Sequence, residues 1–262
     1  MVTTVLQCFN EEQPSYPVNN EHARKIKGRK VKTTSELIAK QNPPNLLIRT
    51  DPDHMVQKAT AFLTSTKAAT LANRSVSDPG TASAPLWNEA DVIRVANLYL
   101  MDPIAKAIGN KYTTPITQSM EFMHGPIRLD QCFNIYDDHP SREKKTLMIV
   151  EFKRRGLIRP NEFQDGSCDV LEYDNRLQEM KENEEQFSLE NTKNALNITK
   201  QATAYCVQRK CNFAALCDYD NLVLLEMDNL PKTAKVTIVP RQFHRKALLG
   251  FLIMACEYER LG

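Results

Sequence analysis

The chain has 262 residues, of which 42% are hydrophobic and 25% are charged, and these fractions are typical of a soluble globular protein. The net charge of +2 excludes a polycation, so any nucleic-acid-binding surface must come from a local cluster of Lys and Arg. No apolar run approaches about 18 residues, and the polar N-terminus lacks the apolar core of a signal peptide. The sequence therefore predicts a protein without a membrane span, kept inside the cell in the cytoplasm or the nucleus.

The first third of the chain is predicted to be an arm followed by a helical extension. Residues 1–32 are expected to be poorly ordered, and their basic stretch from Arg24 to Lys32 is typical of a nuclear signal, a phosphate-binding arm or a solvated tail. A capping-box pattern predicts a short helix over residues 33–40, and a second helix is predicted from Asp53 to about Leu71. The Ser-, Pro- and Gly-rich residues 74–84 are predicted to be a surface linker.

The rest of the chain alternates helical and strand patterns. A helix is predicted from Asn88 to about Met101, and Asp102-Pro103 breaks or restarts it, because proline suits the first turn of a helix. Three strands follow, and a helix around 191–209 separates them from three more strands and a closing helix. These strands are Gln118–Met123, Ile127–Tyr136, Thr146–Val150, Phe213–Cys217, Leu222–Met227 and Ala234–Val239, and the closing helix is Gln242–Glu259. This order predicts an α/β sandwich with a mixed sheet.

An acid and a base end the third predicted strand. Glu151 and Lys153 follow the apolar run Thr146–Val150, and residues i and i+2 of a strand point to the same face. A carboxylate and an ammonium placed side by side can hold a metal ion and an attacking water against a phosphate. The alternative is a strand end that becomes polar as it reaches solvent.

Three further polar residues fall at positions that can join this pair. The parity of the apolar residues in Ile127–Tyr136 predicts a half-buried strand with Asp130 on the opposite face, and a turn leads from it to Glu151. Adjacent strands joined in this way can bring the two carboxylates together. Gln201 and Tyr205 are at i and i+4 of the following helix, so they share one helix face.

Asp130, Glu151-Phe152-Lys153 and Gln201-x-x-x-Tyr205, in this order, resemble the PD-(D/E)XK nuclease superfamily. The Gln-x-x-x-Tyr element resembles the recombination-exonuclease branch of that superfamily. The family also places a helix that carries a glutamate before its first strand, and Glu89 matches this position.

The resemblance covers roughly residues 86–258. It implies a nuclease-like domain over residues 86–262 with a restriction-endonuclease-like core, in which a mixed central sheet is flanked by helices. Residues 1–85 are then the N-terminal arm and helical extension. Leu129 departs from the pattern, because it stands where the family name has proline, so the aspartate after it carries more of the resemblance.

The function that the resemblance implies is Mg²⁺- or Mn²⁺-dependent hydrolysis of phosphodiester bonds in nucleic acid, in DNA rather than RNA. Lys153 would orient the water or stabilise the developing charge. Gln201 and Tyr205 would position the substrate phosphate or the Lys153 ammonium. The implied metal ligands are all oxygen donors, namely the carboxylates of Asp130, Glu151 and Glu89 and the carbonyl of Phe152.

A basic patch adjoins the predicted site and is the expected nucleic-acid-binding surface; it consists of Arg154, Arg155 and Arg159. Two other functions are compatible with the same residues. One is an inactive nuclease-fold module that binds nucleic acid or a protein partner. The other is a plain α/β interaction domain in which Glu151 and Lys153 form a surface ion pair.

The cysteines predict no disulfide framework, because their number, seven, is odd and no two form a Cys-x-x-Cys pair. Cys206, Cys211 and Cys217 follow the Gln-x-x-x-Tyr element, near where some relatives of the exonuclease branch bind an iron–sulfur cluster. Their spacing does not suit a compact cluster, so buried free thiols are predicted.

Overall fold

The computed structural model describes five stretches of the chain, which are residues 3–17, 36–76, 85–124, 127–136 and 145–261. Four sequence predictions lie outside these stretches, wholly or in large part. They are the basic stretch from Arg24 to Lys32, the capping box over 33–36, the surface linker over 74–84 and the turn at 137–141.

The described residues form one eight-stranded mixed sheet with helices on both faces. The strand order is β2-β3-β4-β6-β7-β8-β1-β5. This confirms the predicted α/β class with a mixed central sheet flanked by helices. The strands are β1 (Leu46–Arg49), β2 (Ile116–His124), β3 (Ile127–Ile135), β4 (Thr146–Phe152), β5 (Ser167–Cys168), β6 (Phe213–Cys217), β7 (Leu222–Asn229) and β8 (Thr233–Val239).

Helices connect and cover the strands. They are α1 (Val5–Cys8), α2 (Glu36–Lys40), α3 (Asp53–Leu63), α4 (Glu89–Ala96), α5 (Asp102–Lys111), α6 (Pro160–Asp165), α7 (Tyr173–Glu182), α8 (Ala195–Arg209) and α9 (His244–Tyr258). A π-helical turn over Asn97–Met101 joins α4 to α5, so the break predicted at Asp102-Pro103 is a continuous change of helix type. None of the helices in the described stretches is long and apolar enough to span a bilayer.

Strand β4 lies in the middle of the sheet, where both of its faces are covered. It pairs antiparallel with β3 and parallel with β6, and α8 makes the crossover between β4 and β6. Ile149 packs into the apolar cluster on the α8 face, whereas Met148, Val150 and Phe152 pack into the cluster that α4 and α9 cover. All seven residues of β4 are buried, as expected for a central strand with helices on both sides.

The expectation of a poorly ordered lead-in is wrong for residues 3–17. Thr4 and Gln7 form a capping box around α1, and Val5 and Cys8 are buried in the main core. The backbone carbonyls of this segment accept hydrogen bonds from arginines that are distant in the sequence. Arg245, for example, donates to the carbonyls of both Cys8 and Glu11. Such contacts leave no trace in local sequence patterns, which explains the wrong prediction.

The predicted extension also contributes to the sheet. Strand β1, which the sequence did not indicate, pairs in parallel with β8 on one side and β5 on the other. The helix predicted from Asp53 to Leu71 ends at Leu63, and a 3₁₀ helix follows over Thr66–Asn73. Part of the region assigned to residues 1–85 therefore belongs to the same sheet as the predicted site.

The cysteines agree with the prediction of buried free thiols. All seven are buried and none forms a disulfide. The sulfurs of Cys206 and Cys211 lie 3.8 Å apart at the end of α8, and burial raises the pKa of Cys217 to about 12. The Cys217 thiol is therefore protonated and packs as an apolar group.

Candidate functional site

Asp130 and Glu151 lie on the same face of the sheet. Strands β3 and β4 pair antiparallel with Gln131 opposite Val150 as the last pair, and continuing this register by one residue sets Asp130 opposite Glu151. Directly opposed residues of an antiparallel pair share a face, with Cβ atoms about 4.5–5.5 Å apart. The Asp130 Oδ2 atom also accepts a hydrogen bond of 2.8 Å from the backbone N–H of Phe152. The side chain of Asp130 is thereby held against the strand end that carries Glu151.

Glu151 and Lys153 form a buried ion pair. Only 3% of Glu151 and 6% of Lys153 is exposed, and the Lys153 Nζ atom contacts Glu151 Oε1. The structure therefore contradicts two alternatives drawn from the sequence, namely a polar strand end in solvent and a surface ion pair. The second carboxylate oxygen, Glu151 Oε2, is buried and has no hydrogen-bond partner within the described residues. A buried oxygen of this kind is costly unless something pairs with it.

The electrostatics of the cluster link three carboxylates to one ammonium. Burial raises the pKa of Glu151 to about 8; the Lys153 ammonium opposes this rise, and the carboxylates of Asp130 and Glu89 add to it. Burial acts to lower the pKa of Lys153, but Glu151, Glu89 and Asp130 outweigh it, and the pKa is raised. The site therefore holds excess negative charge, which a cation would relieve.

Glu89 acts on the charges of the cluster from α4, the helix that packs on the face of β4 opposite to α8. It is the first residue of α4, whose start is fixed by a capping box between Asn88 and Asp91. Val92 and Val95 bury the apolar face of this helix, and α4 packs against β4. This packing brings the acidic first turn of α4 toward β4. Glu89 is partly exposed there, and the positive end of the helix dipole stabilises its carboxylate.

Gln201 and Tyr205 approach the cluster from α8. The amide Nε2 of Gln201 donates a hydrogen bond of 2.6 Å to the Tyr205 hydroxyl, as expected for residues at i and i+4. Tyr205 is buried, and burial raises its pKa, with further contributions from the carboxylates of Glu151, Asp130 and Glu89. The hydroxyl therefore stays protonated beside the carboxylates, where it can donate a hydrogen bond.

The three arginines after Lys153 have different environments. Arg155 contacts Asp220 and donates to the carbonyls of Tyr16 and Pro17 at 3.0 and 2.8 Å. Arg154 is partly exposed and has no side-chain hydrogen bond or ion pair in the part of the chain that the structure describes.

Arg159 donates to Glu162 at 2.9 Å. The other carboxylate oxygen of Glu162 caps the start of α8 by accepting from the backbone N–H groups of Asn194 and Ala195 at 2.6 and 2.9 Å. Arg159 therefore helps to fix the helix that carries Gln201 and Tyr205. Of the three arginines, Arg154 is the one whose side chain has no hydrogen bond or ion pair within the described residues.

Sequence reasoning missed the residues that hold the loop after Lys153. Asp218 is fully buried, and its carboxylate accepts hydrogen bonds of 2.8 Å from the N–H groups of Gly156 and Asn221. Asp220 binds both Arg155 and Arg241. Asp218 and Asp220 closely follow the end of β6 in the sequence, but this segment was predicted only to be a turn.

No protein-family model, no curated protein and no solved structure matches this chain.

The donor set of the site suits a hydrated cation. Within the described stretches, no three His, Cys, Asp or Glu side chains are already arranged to hold a metal. Mg²⁺ keeps several waters and is commonly bound through one or two carboxylates. Asp130 and Glu151 supply two carboxylates on one face, and the buried Oε2 of Glu151 lacks a partner that a cation would provide.

Proposed function

We propose that the protein is a metal-dependent nuclease of the PD-(D/E)XK type that hydrolyses phosphodiester bonds, those of DNA in particular. The observation that supports this proposal is the buried contact between the Lys153 ammonium and the Glu151 carboxylate, with the carboxylates of Asp130 and Glu89 acting on both groups. A stable phosphodiester needs its charge neutralised and a water held for attack, and this set of groups can do both.

The order and pairing of the elements support a restriction-endonuclease-like core. Helix α4 precedes the antiparallel β2–β3–β4 meander, and α8 then leads to β6, which is parallel to β4. This is the helix–three strands–helix–strand order that the resemblance implies. The candidate residues lie on these elements, with Glu89 on α4, Asp130 on β3 and Glu151 on β4.

Each residue of the site has a distinct role in the proposed reaction. A bound Mg²⁺ or Mn²⁺ would neutralise phosphate charge and make a water more acidic, and Asp130 and Glu151 would hold it, with Glu89 acting directly or through water. Lys153 orients the attacking water or stabilises the charge that develops on the phosphate. The Tyr205 hydroxyl, held by Gln201, donates to a phosphate oxygen or fixes the Lys153 ammonium. The N–H of Phe152 holds Asp130 in position.

A second candidate function is a nuclease-fold module that binds nucleic acid or a protein partner without cleaving it. The contact between Lys153 Nζ and Glu151 Oε1 favours it, because the two charged groups satisfy each other in a nearly closed site. Such a module would retain the fold and its partly exposed Arg154.

A cleavage assay with the wild-type chain separates the two functions. Labelled single-stranded DNA, duplex DNA and RNA are incubated with Mn²⁺, with Mg²⁺ and with EDTA. The nuclease should cut DNA in at least one of the metals and leave it intact in EDTA. Folded protein that cuts none of these substrates in either metal would rule out the nuclease and favour the inactive module.

Metal binding should also stabilise the protein. A ligand that binds only the folded state adds RT ln(1 + [L]/Kd), which is about 2.7 kcal/mol at a hundredfold excess over Kd. The melting temperature should then rise in Mn²⁺ by several degrees, at about 2–4 °C per kcal/mol. Asp130→Asn should lose most of this shift, because the amide can keep the hydrogen bond from Phe152 but not the charge. Without metal, the variant should melt no lower than wild type, since one repulsive charge is gone.

The matched control for metal binding is Glu182→Gln, which removes an exposed carboxylate from the acidic helix α7. It should keep the full Mn²⁺ shift. An equal shift in wild type and in Asp130→Asn, with a reduced shift in Glu182→Gln, would place the ion on α7 and contradict the proposed site.

A further inference from the structure

Two cysteines meet where helix α8 ends. Cys206 lies in the last turn of α8, and Cys211 follows the helix by two residues. Their Sγ atoms are 3.8 Å apart, and both thiols are reduced. Neither thiol belongs to the candidate site. The proposed reaction therefore leaves this pair unused, although its two sulfur atoms are already in van der Waals contact.

The backbone holds the two cysteines at a distance that a disulfide can bridge. The N–H of Cys211 donates a hydrogen bond of 3.0 Å to the carbonyl of Cys206, and with standard backbone dimensions this bond keeps the two Cα atoms within about 7 Å. Cysteines whose Cα atoms lie farther apart are not bridged without backbone movement. The contact between the sulfurs shows that the side chains point toward each other. Side-chain rotation can therefore close the sulfurs from 3.8 Å to the ~2.05 Å of a disulfide.

A helix-ending motif explains the contact but not the residue type. Lys210 has left-handed backbone angles, with φ 51° and ψ 42°, and its N–H donates to the carbonyl of Val207 at 3.3 Å. Together with the hydrogen bond between Cys211 and Cys206, this is a Schellman motif, which commonly pairs two apolar side chains at these positions. Any two apolar residues satisfy the motif, whereas two cysteines also allow a covalent bond.

The pair lies just below the surface. Cys206 is 1% exposed and Cys211 is 5% exposed, but Cys211 stands between the exposed Lys210 and the partly exposed Asn212. Helix ends fray, and local opening costs less free energy than global unfolding. A small oxidant therefore reaches Cys211 first, and Cys206 is the second thiol of the pair.

We propose that Cys206 and Cys211 form a reversible disulfide when a peroxide oxidises the protein, which ties the end of α8 to the segment that enters β6. This inference is independent of the proposed nuclease function. A sulfenic acid continues to the irreversible sulfinic and sulfonic acids unless a thiol captures it. Cys206 is placed to capture the sulfenic acid of Cys211 in this way.

The reaction consumes one peroxide for each disulfide. The Cys211 thiol gives up its proton, and the thiolate attacks one oxygen of hydrogen peroxide and breaks the O–O bond. The hydroxide that leaves takes up this proton and becomes water. The Cys206 sulfur then attacks the sulfenic sulfur of Cys211, so that the S–S bond forms, the S–O bond breaks, and hydroxide leaves as a second water with the Cys206 proton. The two thiols lose two electrons, which the peroxide gains.

Thiol counting under native conditions tests the pair. The reduced chain is treated with hydrogen peroxide, and the thiols that remain are blocked with N-ethylmaleimide in denaturant and counted by mass spectrometry. Wild type should lose two of its seven labels, and dithiothreitol should restore both. Trypsin cuts after Arg209 and Lys210, so the disulfide should join the peptides 201–209 and 211–232.

Three alanine variants assign the sulfurs. Cys211→Ala should keep all of its labels and form no linked peptides. Cys206→Ala should also form no link, and its Cys211 should instead accumulate as sulfinic or sulfonic acid that dithiothreitol does not reverse. Cys217→Ala is the matched control, because it removes the other cysteine of peptide 211–232 and should keep the link. Circular dichroism and melting curves verify that each variant is folded.

Three results would overturn the inference. The first is a wild-type chain that keeps all seven labels under conditions that fully oxidise free cysteine. The second is the simultaneous loss of all seven, which would mean that oxidation follows unfolding. The third is loss of labels without the linked peptides 201–209 and 211–232. If a variant does not fold, the label count and the linked peptides of wild type decide the question by themselves.

Discussion

Replacing Lys153 with methionine is expected to lower the rate of metal-dependent cleavage by at least about 100-fold, since the loss of one preorganised electrostatic group typically costs about 10²–10³ in rate. Methionine keeps the apolar stem and removes the ammonium. Glu151→Gln should lower the rate by at least as much, because it removes a proposed metal ligand. Single-turnover cleavage of labelled DNA at saturating Mn²⁺ measures both effects.

The same two variants should differ in stability, because the pair is buried. Glu151→Gln leaves a buried ammonium without its partner, and removing one member of a buried pair costs about 3–5 kcal/mol. Lys153→Met removes the ammonium that opposes the rise in the pKa of Glu151, so this buried carboxyl group takes up a proton and becomes neutral. The double variant Glu151→Gln/Lys153→Met should be more stable than Glu151→Gln and equally inactive.

Melting curves and circular dichroism of the three variants complete this cycle and separate activity from folding. The site assignment would be contradicted if Lys153→Met were folded and cleaved DNA at the wild-type rate. Equal stability of Glu151→Gln and the double variant would show that the Lys153 ammonium finds another partner when Glu151 is changed.

Gly250→Ala is expected to be the most destabilising small substitution on the opposite face of the sheet. Gly250 lies in α9, directly against the backbone of Met55 in α3. A Cβ atom at this position would lie 1.9 Å from the Met55 carbonyl oxygen and 2.5 Å from its carbonyl carbon. The obstacle is backbone, so no side-chain rotation relieves it, and the two helices must move apart.

The expected cost is at the upper end of the ~1–3 kcal/mol that overpacking usually costs, or beyond it. The higher helix propensity of alanine, about 1 kcal/mol, offsets only part of this. The matched control is Gly109→Ala in α5, where an added Cβ meets nothing within 4 Å. Gly109→Ala should raise the free energy of unfolding and Gly250→Ala should lower it, as measured by urea denaturation; equal values would mean that α3 and α9 are not packed this closely.

Local patterns in the sequence were sufficient for six of the eight strands, which are β2, β3, β4, β6, β7 and β8, and for the residues that lie beside each charged side chain. Strand β6 begins and ends where it was predicted, because a run of five apolar residues between polar turns is too short for a typical helix and has the length of a buried strand. Parity placed Glu151 and Lys153 side by side, and helix periodicity placed Gln201 with Tyr205. These relations depend on backbone geometry over a few residues, so they can be derived without the fold.

Only the tertiary structure decided the environment of these residues. The burial of Glu151 depends on α4 and α8, which are far from it in the sequence, and the pKa of its carboxyl group follows from that burial. Residues 3–17 are ordered because Arg155, Arg241 and Arg245 donate hydrogen bonds to their backbone carbonyls. Strand β1 forms because β8 and β5 pair with it on either side. Hydrogen bonds and desolvation act through space between distant segments, so a sequence pattern that spans a few residues carries no information about them.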